Sequence, residues 1–285
     1  MITGGAKQQE LDNLETIGFV TTALFEVSAE KINRLRTAFE KNSKFYTEIT
    51  KLYQAVKQTA RARGELSEKT TGKAARDTNR SISVAFTTNS RFYGSVNTEV
   101  MRTFLKNMQD PQSDYLIIGR TGGLFMRNFP EHPAQVSYLL FKEDEPSDEE
   151  MRTFLDTIAP YEHVYVFHSS FVNVFTQKVS ALDVAYMPSL EDSENTTEKI
   201  DYIFEPELPK ILAFFETRVR HLLFQRIMLE AELARTAARL ISMNQAQDRA
   251  DSAVTRARRR MRRENATFND ARLLEAFSAI TKWKK

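Results

Sequence analysis

Near the end of the chain, apolar residues fall on one alternating grid of three and four. Leu212, Phe215, Val219, Leu222, Leu229, Leu233, Leu240, Met243, Ala250, Val254, Ala257 and Met261 occupy it, and Arg226, Thr236 and Gln247 interrupt it. That spacing is the seam of a coiled-coil helix. The 76 residues from Lys210 to Lys285 contain neither glycine nor proline. At a rise of ~1.5 Å per residue, a continuous helix would be on the order of 110 Å long, too long to bury itself in one domain. It needs partners along its length.

A second grid lies near the start: Ile32, Leu35, Phe39, Tyr46, Ile49, Tyr53 and Val56, with Asn42 as the polar entry. Upstream, Ile17, Val20, Leu24 and Val27 form another run, one position out of phase. This predicts a change of coil winding near Lys31. Two seams at opposite ends of one chain predict an antiparallel coiled coil with a domain inserted between its helices. The expected bounds are 1–64 for the N-terminal helix, 65–80 for a linker, 81–205 for the inserted domain and 206–285 for the C-terminal helix. If the hairpin closes between residues 56–64 and Pro209, the N-terminal partner runs out near position 260. Roughly 25 residues would then project as a lone helix, which is marginal in water.

In the middle the period changes. Ile82, Val84 and Phe86 alternate, and residues 115–118, 138–141 and 164–167 are short apolar runs that read as strands buried on both faces of a parallel sheet. Between them, Met101, Phe104, Leu105 and Met108, and then Met151, Phe154, Leu155 and Ile158, have helical spacing. The predicted fold is α/β: a Rossmann-like, doubly wound domain carried between long antiparallel helices. All eight prolines lie between Pro111 and Pro209, which punctuates the middle and spares the ends.

Composition removes several classes of function. There is no cysteine, hence no disulfide, thiolate metal site or cysteine nucleophile. No apolar run reaches membrane-span length, and the first residues lack a signal-peptide pattern. The loop Gly119–Gly123 follows a strand but is neither GxGxxG nor a Walker sequence, and no capped helix is evident after it. It reads as a plain loop. The turn at residues 89–97 carries no acid, base and nucleophile set. His132, His163, His168 and His221 are scattered, and His163 and His168, five apart on one strand, should face opposite ways. No catalytic residue, cofactor or metal ligand is therefore expected.

Net charge is only +2 but unevenly placed. Residues 143–150, EDEPSDEE, read as a helix start with Ser147 and Glu150 as a capping box. Residues 256–263, RARRRMRR, hold six arginines. They could meet an acidic collar on a partner, form a solvated face, or track phosphates as a bZIP basic region does. The block is short, follows an intramolecular hairpin and has no base-reading set, so nucleic acid is not expected.

Several segments resemble the gamma subunit of F-type ATP synthases. Val20–Ile32, VTTALFEVSAEKI, is similar to the family's first helix, matching at Thr21, Ala23, Val27, Ala29 and Lys31. Residues 88–97, TNSRFYGSVN, keep Gly94 and Asn97 of its S/T-D-R-G-L-C-G-G-L-N turn. Ile117–Arg120 resembles its IIGRK strand end, and Tyr202–Pro206 its Y-x-Y-E-P. Glu230, the segment 237–243, and Ala246, Asp248 and Ala250 fit its last helix. Beyond Arg256 the chain departs: Asn265 and Ala266 stand where the family has an arginine–glutamine pair.

The resemblance implies a non-catalytic rotor shaft coupling ion translocation to ATP synthesis or hydrolysis. It implies alpha and beta subunits, epsilon and the c-ring as partners, and a peripheral place on the cytoplasmic face of the cell membrane. It also implies alpha/beta-ring contacts at Thr21, Lys31, Arg256, Arg258, Arg259, Arg260, Arg262, Arg263 and Asn265, and c-ring or epsilon contacts at Tyr202 and Glu205. Two alternatives remain: the shaft of a dedicated ATPase that has lost synthesis, and a coiled-coil binding protein with a basic tip.

Overall fold

The structure, a computed structural model, describes residues 4–62, 77–108, 113–129, 136–144, 146–184 and 207–283. In chain order the elements are α1 (Gly4–Ala62), β1 (Asp77–Phe86), α2 (Val96–Asn107), β2 (Ser113–Ile118), α3 (Arg120–Met126) and β3 (Val136–Leu139). They continue with α4 (Asp148–Ile158), β4 (Tyr161–Phe171), β5 (Gln177–Asp183) and α5 (Leu208–Trp283). The chain divides into two compact units: residues 30–239, and residues 1–29 with 240–285.

The larger unit is built on a five-stranded sheet of order β3-β2-β1-β4-β5. The first four strands are parallel, and β5 returns antiparallel beside β4. Side chains alternate between two cores, as strand geometry requires. Ile82, Val84, Phe86, Leu116, Ile118, Val164 and Val166 pack on one face with Phe154 of α4, Val219–Ala231 of α5 and Tyr46 of α1. Ala85, Tyr115, Ile117 and Phe167 pack on the other with Val100, Met101 and Phe104 of α2 and Met126 of α3. Phe154 stacks on Phe224 at 4.3 Å between ring centroids. Burying each such ring contributes roughly 1.5–3 kcal/mol.

In this unit α1 and α5 run antiparallel. Tyr53, Val56 and Ala60 pack on Leu212, Asn42 donates to Gln225 at 3.0 Å, and Lys31 pairs with Glu232. α4 starts as expected: Ser147 accepts from the Glu150 N–H, and the Glu150 carboxylate accepts from the Ser147 N–H. The acidic stretch thus includes an ordinary capping box.

Four expectations change. Residues 138–141 are not a doubly buried strand: β3 is a sheet edge, with Tyr138 57% and Leu140 60% exposed. Gly119–Gly123 is not a plain loop, because α3 begins at Arg120 directly after Gly119. β5 had not been foreseen. β1 begins at Asp77, inside the stretch read as linker.

The phase slip near Lys31 is also absent. The less exposed positions of α1 keep one phase, Leu11, Leu14, Gly18, Thr21, Phe25, Ser28, Ile32 and Leu35, through to Ala60. Ile17, Val20 and Val27 face outward at 52%, 48% and 60% exposure. The apolar run was off the seam, and small residues are on it.

Candidate interaction sites on the paired helices and the sheet

In the smaller unit, residues 4–29 of α1 pair with α5 from Leu240 onward. Leu11, Thr21 and Ser28 are buried, as are Met243, Ala250 and Ala257. A Cβ at Gly18 would lie 3.8 Å from the Ala250 Cβ. The hydroxyls on this seam turn back on their own helix. Thr21 Oγ1 donates to the Gly18 carbonyl at 2.8 Å, with Ile17 O at 3.0 Å, and Ser28 Oγ donates to Leu24 O at 2.7 Å. Their donors are satisfied without a partner helix, so the seam can be narrow yet partly polar.

The arginine segment is split by this pairing. Arg258 meets Glu15 at 2.7 Å, Arg260 approaches Glu10 at 4.0 Å, and Lys7 pairs with Glu264. Arg256, Arg259, Arg262, Arg263 and Asn265 are exposed. The six arginines are therefore two groups: two held to α1 and four directed to solvent. Side chains from Arg262 to Ala279 are all exposed, including Phe268, Leu273, Leu274 and Phe277 at 57–70%. Of the other expected ring contacts, Thr21 faces the seam and Lys31 is tied to Glu232, itself only 5% exposed. Tyr202 and Glu205 lie outside the described residues.

In the larger unit, the segments 87–97 and 119–123 lock to each other and to Asp144. The Asp144 carboxylate accepts from the Asn89 N–H at 2.6 Å, the Tyr93 hydroxyl at 2.9 Å and the Ser90 N–H at 3.4 Å. Asn89 donates to Phe141 O at 2.7 Å and accepts from the Arg120 N–H at 3.0 Å. Thr87 Oγ1 donates to Ile118 O and accepts from the Gly122 N–H. Gly119 adopts φ +98°, and a Cβ there would sit 2.6 Å from Thr87 O. These glycines serve close backbone approach instead of phosphate binding.

Arg239 clamps the turn from α5. Its guanidinium stacks over the Tyr93 ring at 4.0 Å and donates to Arg91 O at 3.1 Å. Arg235, 1% exposed, lies over the Phe86 ring at 5.0 Å. Burial would raise the Asp144 pKa, but hydrogen bonds from Asn89 and Ser90, the Arg235 charge and the Tyr93 hydroxyl outweigh it and hold the carboxyl below its ordinary value. Burial and the Asp144 charge push Tyr93 up to about 12. The pairing is a carboxylate accepting from a neutral phenol across the working pH range.

The two strand histidines do face opposite ways. His163 is exposed, 2.7 Å from Asp183, whereas His168 is 2% exposed and 3.9 Å from Glu230. Glu230 also accepts from Ser170. Burial would raise its pKa, but hydrogen bonds from His168 and Ser170 prevail and lower it. His132 falls outside the described residues, and burial with nearby Arg218 lowers the pKa of His221. None of these groups forms a nucleophile and base pair. Sequence reasoning had no signal for the Asp144 lock, whose members come from segments about fifty residues apart.

A doubly wound sheet with one antiparallel edge, carried between two long paired helices, defines a coiled-coil stalk protein. The family model described as ATP synthase matches residues 7–267, and the chain belongs to that family, as a gamma-type member. Similar proteins include the ATP synthase gamma chain of an Exiguobacterium species, 25% identical over 261 residues and 87% of each chain. That of Stenotrophomonas maltophilia is 26% identical over 271 residues, 89% of this chain and 90% of the relative. Two solved chains share the fold. One is from the central stalk and c-ring of the Tetrahymena thermophila mitochondrial ATP synthase, with TM-score 0.53 and 18% identity over 80% of this chain and 99% of that one. The other is from the Euglena gracilis mitochondrial ATP synthase, with TM-score 0.53 and 15% identity over 89% and 94%.

Proposed function

We infer that this chain is the gamma subunit of an F-type ATP synthase, the central stalk around which the catalytic subunits act. The observation that carries the reading is a family match running through both long helices and the domain between them. Relatives of nearly equal length are named ATP synthase gamma chains. A single asymmetric coiled coil within a ring of repeated subunits can press each differently, so turning it would carry each site through a switching cycle. Such a subunit needs stiffness and contact surfaces, and the locked loops, the satisfied seam hydroxyls and the exposed basic face supply them.

We assign the alpha/beta-ring contacts to Arg256, Arg259, Arg262, Arg263 and Asn265, and give Arg258, Arg260, Thr21 and Lys31 to the helix pairing itself. Tyr202 and Glu205 are assigned to the c-ring or epsilon by likeness to the family's motif. Among the described residues no helix is long and apolar enough to cross a membrane. Membrane association would come through the complex. We take residues 1–64 and 206–285 as the stalk and 77–205 as its foot.

Co-expression with the alpha and beta subunits of its own cell should give one assembly containing this chain, with ATPase activity. Changing Arg256, Arg259, Arg262 and Arg263 to glutamine should impair assembly or ATP-driven rotation. Changing Arg258 and Arg260 should mainly loosen the helix pair. Absence of any assembly with the unaltered chain would refute the reading.

A further inference from the structure

Between α1, the β4–β5 hairpin and α5, within the larger unit, lies a cavity of about 620 Å³. That is the size of a small-molecule site. Tyr46, Thr47 and Thr50 line it from α1, His168, Ser180, Leu182 and Asp183 from the hairpin, and Leu223, Arg226, Ile227 and Glu230 from α5. The stalk reading uses none of it.

Two observations give it chemistry. Tyr46 is 6% exposed, yet its hydroxyl makes no hydrogen bond of normal geometry, and only the Thr50 side chain comes near it. The neighbouring Thr50 hydroxyl is given instead to the Tyr46 carbonyl, at 2.7 Å. A buried donor left this way costs about 1–3 kcal/mol, a cost that an acceptor in the cavity would remove. Arg226 lies over the rings of Phe39 at 5.9 Å and Tyr46 at 5.7 Å, and among the described residues it makes no ion pair. A guanidinium held against ring faces keeps its in-plane N–H groups for an acceptor.

Glu230 sits one helical turn further along α5, where the Arg226 charge helps to keep its carboxyl ionised, but the two form no ion pair. The carboxylate is drawn to Ser170 and His168 on the strand, and the guanidinium to the aromatic rings of α1. Asp183, the second carboxylate of the lining, already accepts from the Val164 N–H at 3.1 Å and lies 2.7 Å from the His163 ring. The cavity thus offers a cation and a phenol donor on one side and the Glu230 acceptor on the other, with Leu182, Leu223 and Ile227 as apolar wall. A dianion would meet Glu230 unfavourably, and a neutral apolar molecule would leave Arg226 and Tyr46 as they are. One charge pattern satisfies all three groups: a monoanion that also carries a donor.

We propose that this cavity binds a small amphiphilic carboxylic acid. Its carboxylate is taken by Arg226 and the Tyr46 hydroxyl, its body lies against Leu182, Leu223 and Ile227, and a hydroxyl or amine donates to Glu230. The bidentate geometry of guanidinium and carboxylate makes Arg226 the anchor.

The test uses the purified full chain with three probes: a hydroxynaphthoate, the matching naphthol without the carboxylate, and naphthyl phosphate. Binding is read by ligand-detected NMR and calorimetry. The hydroxynaphthoate should bind saturably, with the naphthol and the phosphate each weaker by about tenfold or more. Arg226→Gln and Tyr46→Phe should each weaken it by about tenfold. Tyr46→Phe removes one oxygen and keeps the packing, so its melting midpoint shows that lost binding is not lost fold, and it decides the matter if Arg226→Gln does not fold. No saturable binding, equal affinity for the naphthol, or undiminished binding to Tyr46→Phe would each overturn the proposal. None of these results bears on assembly with alpha and beta subunits.

Discussion

Asp144 shows how one side chain sets the shape of a turn that sequence comparison would treat as a motif. It accepts from two backbone N–H groups and a phenol, and it is half-buried, so its ionised form belongs to the folded state. Its folded pKa lies below the unfolded value of about 3.9. The contribution is therefore complete above that value and disappears as pH falls through the lower, folded pKa. Asp144→Asn should cost about 1–2 kcal/mol near neutrality, less than a buried charge would because solvent screens part of it. It should also flatten the acid limb of a urea-midpoint profile below about pH 4. A parallel acid limb in both proteins would show that the carboxylate is not what holds the turn. On the alkaline side, the unfolded phenol ionises near 10 whereas Tyr93 does so at about 12, so this contact weakens the fold only above about pH 10.

At the scale of elements, large parts of the fold were legible and the failures have physical causes. The α5 seam was read in the correct phase because Leu212, Val219, Leu222, Leu233 and Met243 are both apolar and inward. The outer part of α1 was misread because Gly18, Thr21 and Ser28 line its seam while Ile17, Val20 and Val27 face out. Hydrophobicity cannot signal a seam built on close approach. α3 escaped notice because RTGG holds two glycines and no side-chain cap, and β5 because QKVSALD is a part-exposed edge. The pairing of Lys31 with Glu232 joins α1 to α5 across two hundred positions of sequence, where no local pattern reaches. Its removal is informative because Glu232 is buried. Lys31→Met should lower stability by about 3 kcal/mol by leaving a buried carboxylate less well compensated. Adding Glu232→Gln should restore a large share of that loss. Urea unfolding with an unchanged slope would read both values. A double variant no more stable than Lys31→Met would mean that the lysine acts through its packing alone.

For the whole molecule, the balance between internal bonding and exposed surface changes along α5. Up to Glu264 the helix is tied to α1 by ion pairs. Beyond it, Phe268, Leu273, Leu274 and Phe277 are 57–70% exposed, and Arg272 lies over the Phe268 ring at 5.8 Å. Stability and assembly should therefore be separable. Among the described residues, a chain ending at Glu264 keeps the ion pairs between the helices and the buried core side chains, so its stability should stay within about 0.5 kcal/mol of the full chain. The removed segment carries Phe268, Leu273 and Leu274 as large exposed apolar side chains, which suits an interface whose energy is concentrated in a few large side chains. Under the gamma-subunit reading, the shortened chain should bind its ring partners at least about tenfold more weakly. That loss should persist at high salt, because apolar contact is not screened. The loss caused by replacing Arg256, Arg259, Arg262 and Arg263 should instead shrink as salt rises and the full chain's own advantage is screened away. Binding of the shortened chain equal to that of the full chain at every salt concentration would remove the exposed end from the interface and leave the basic face to carry it.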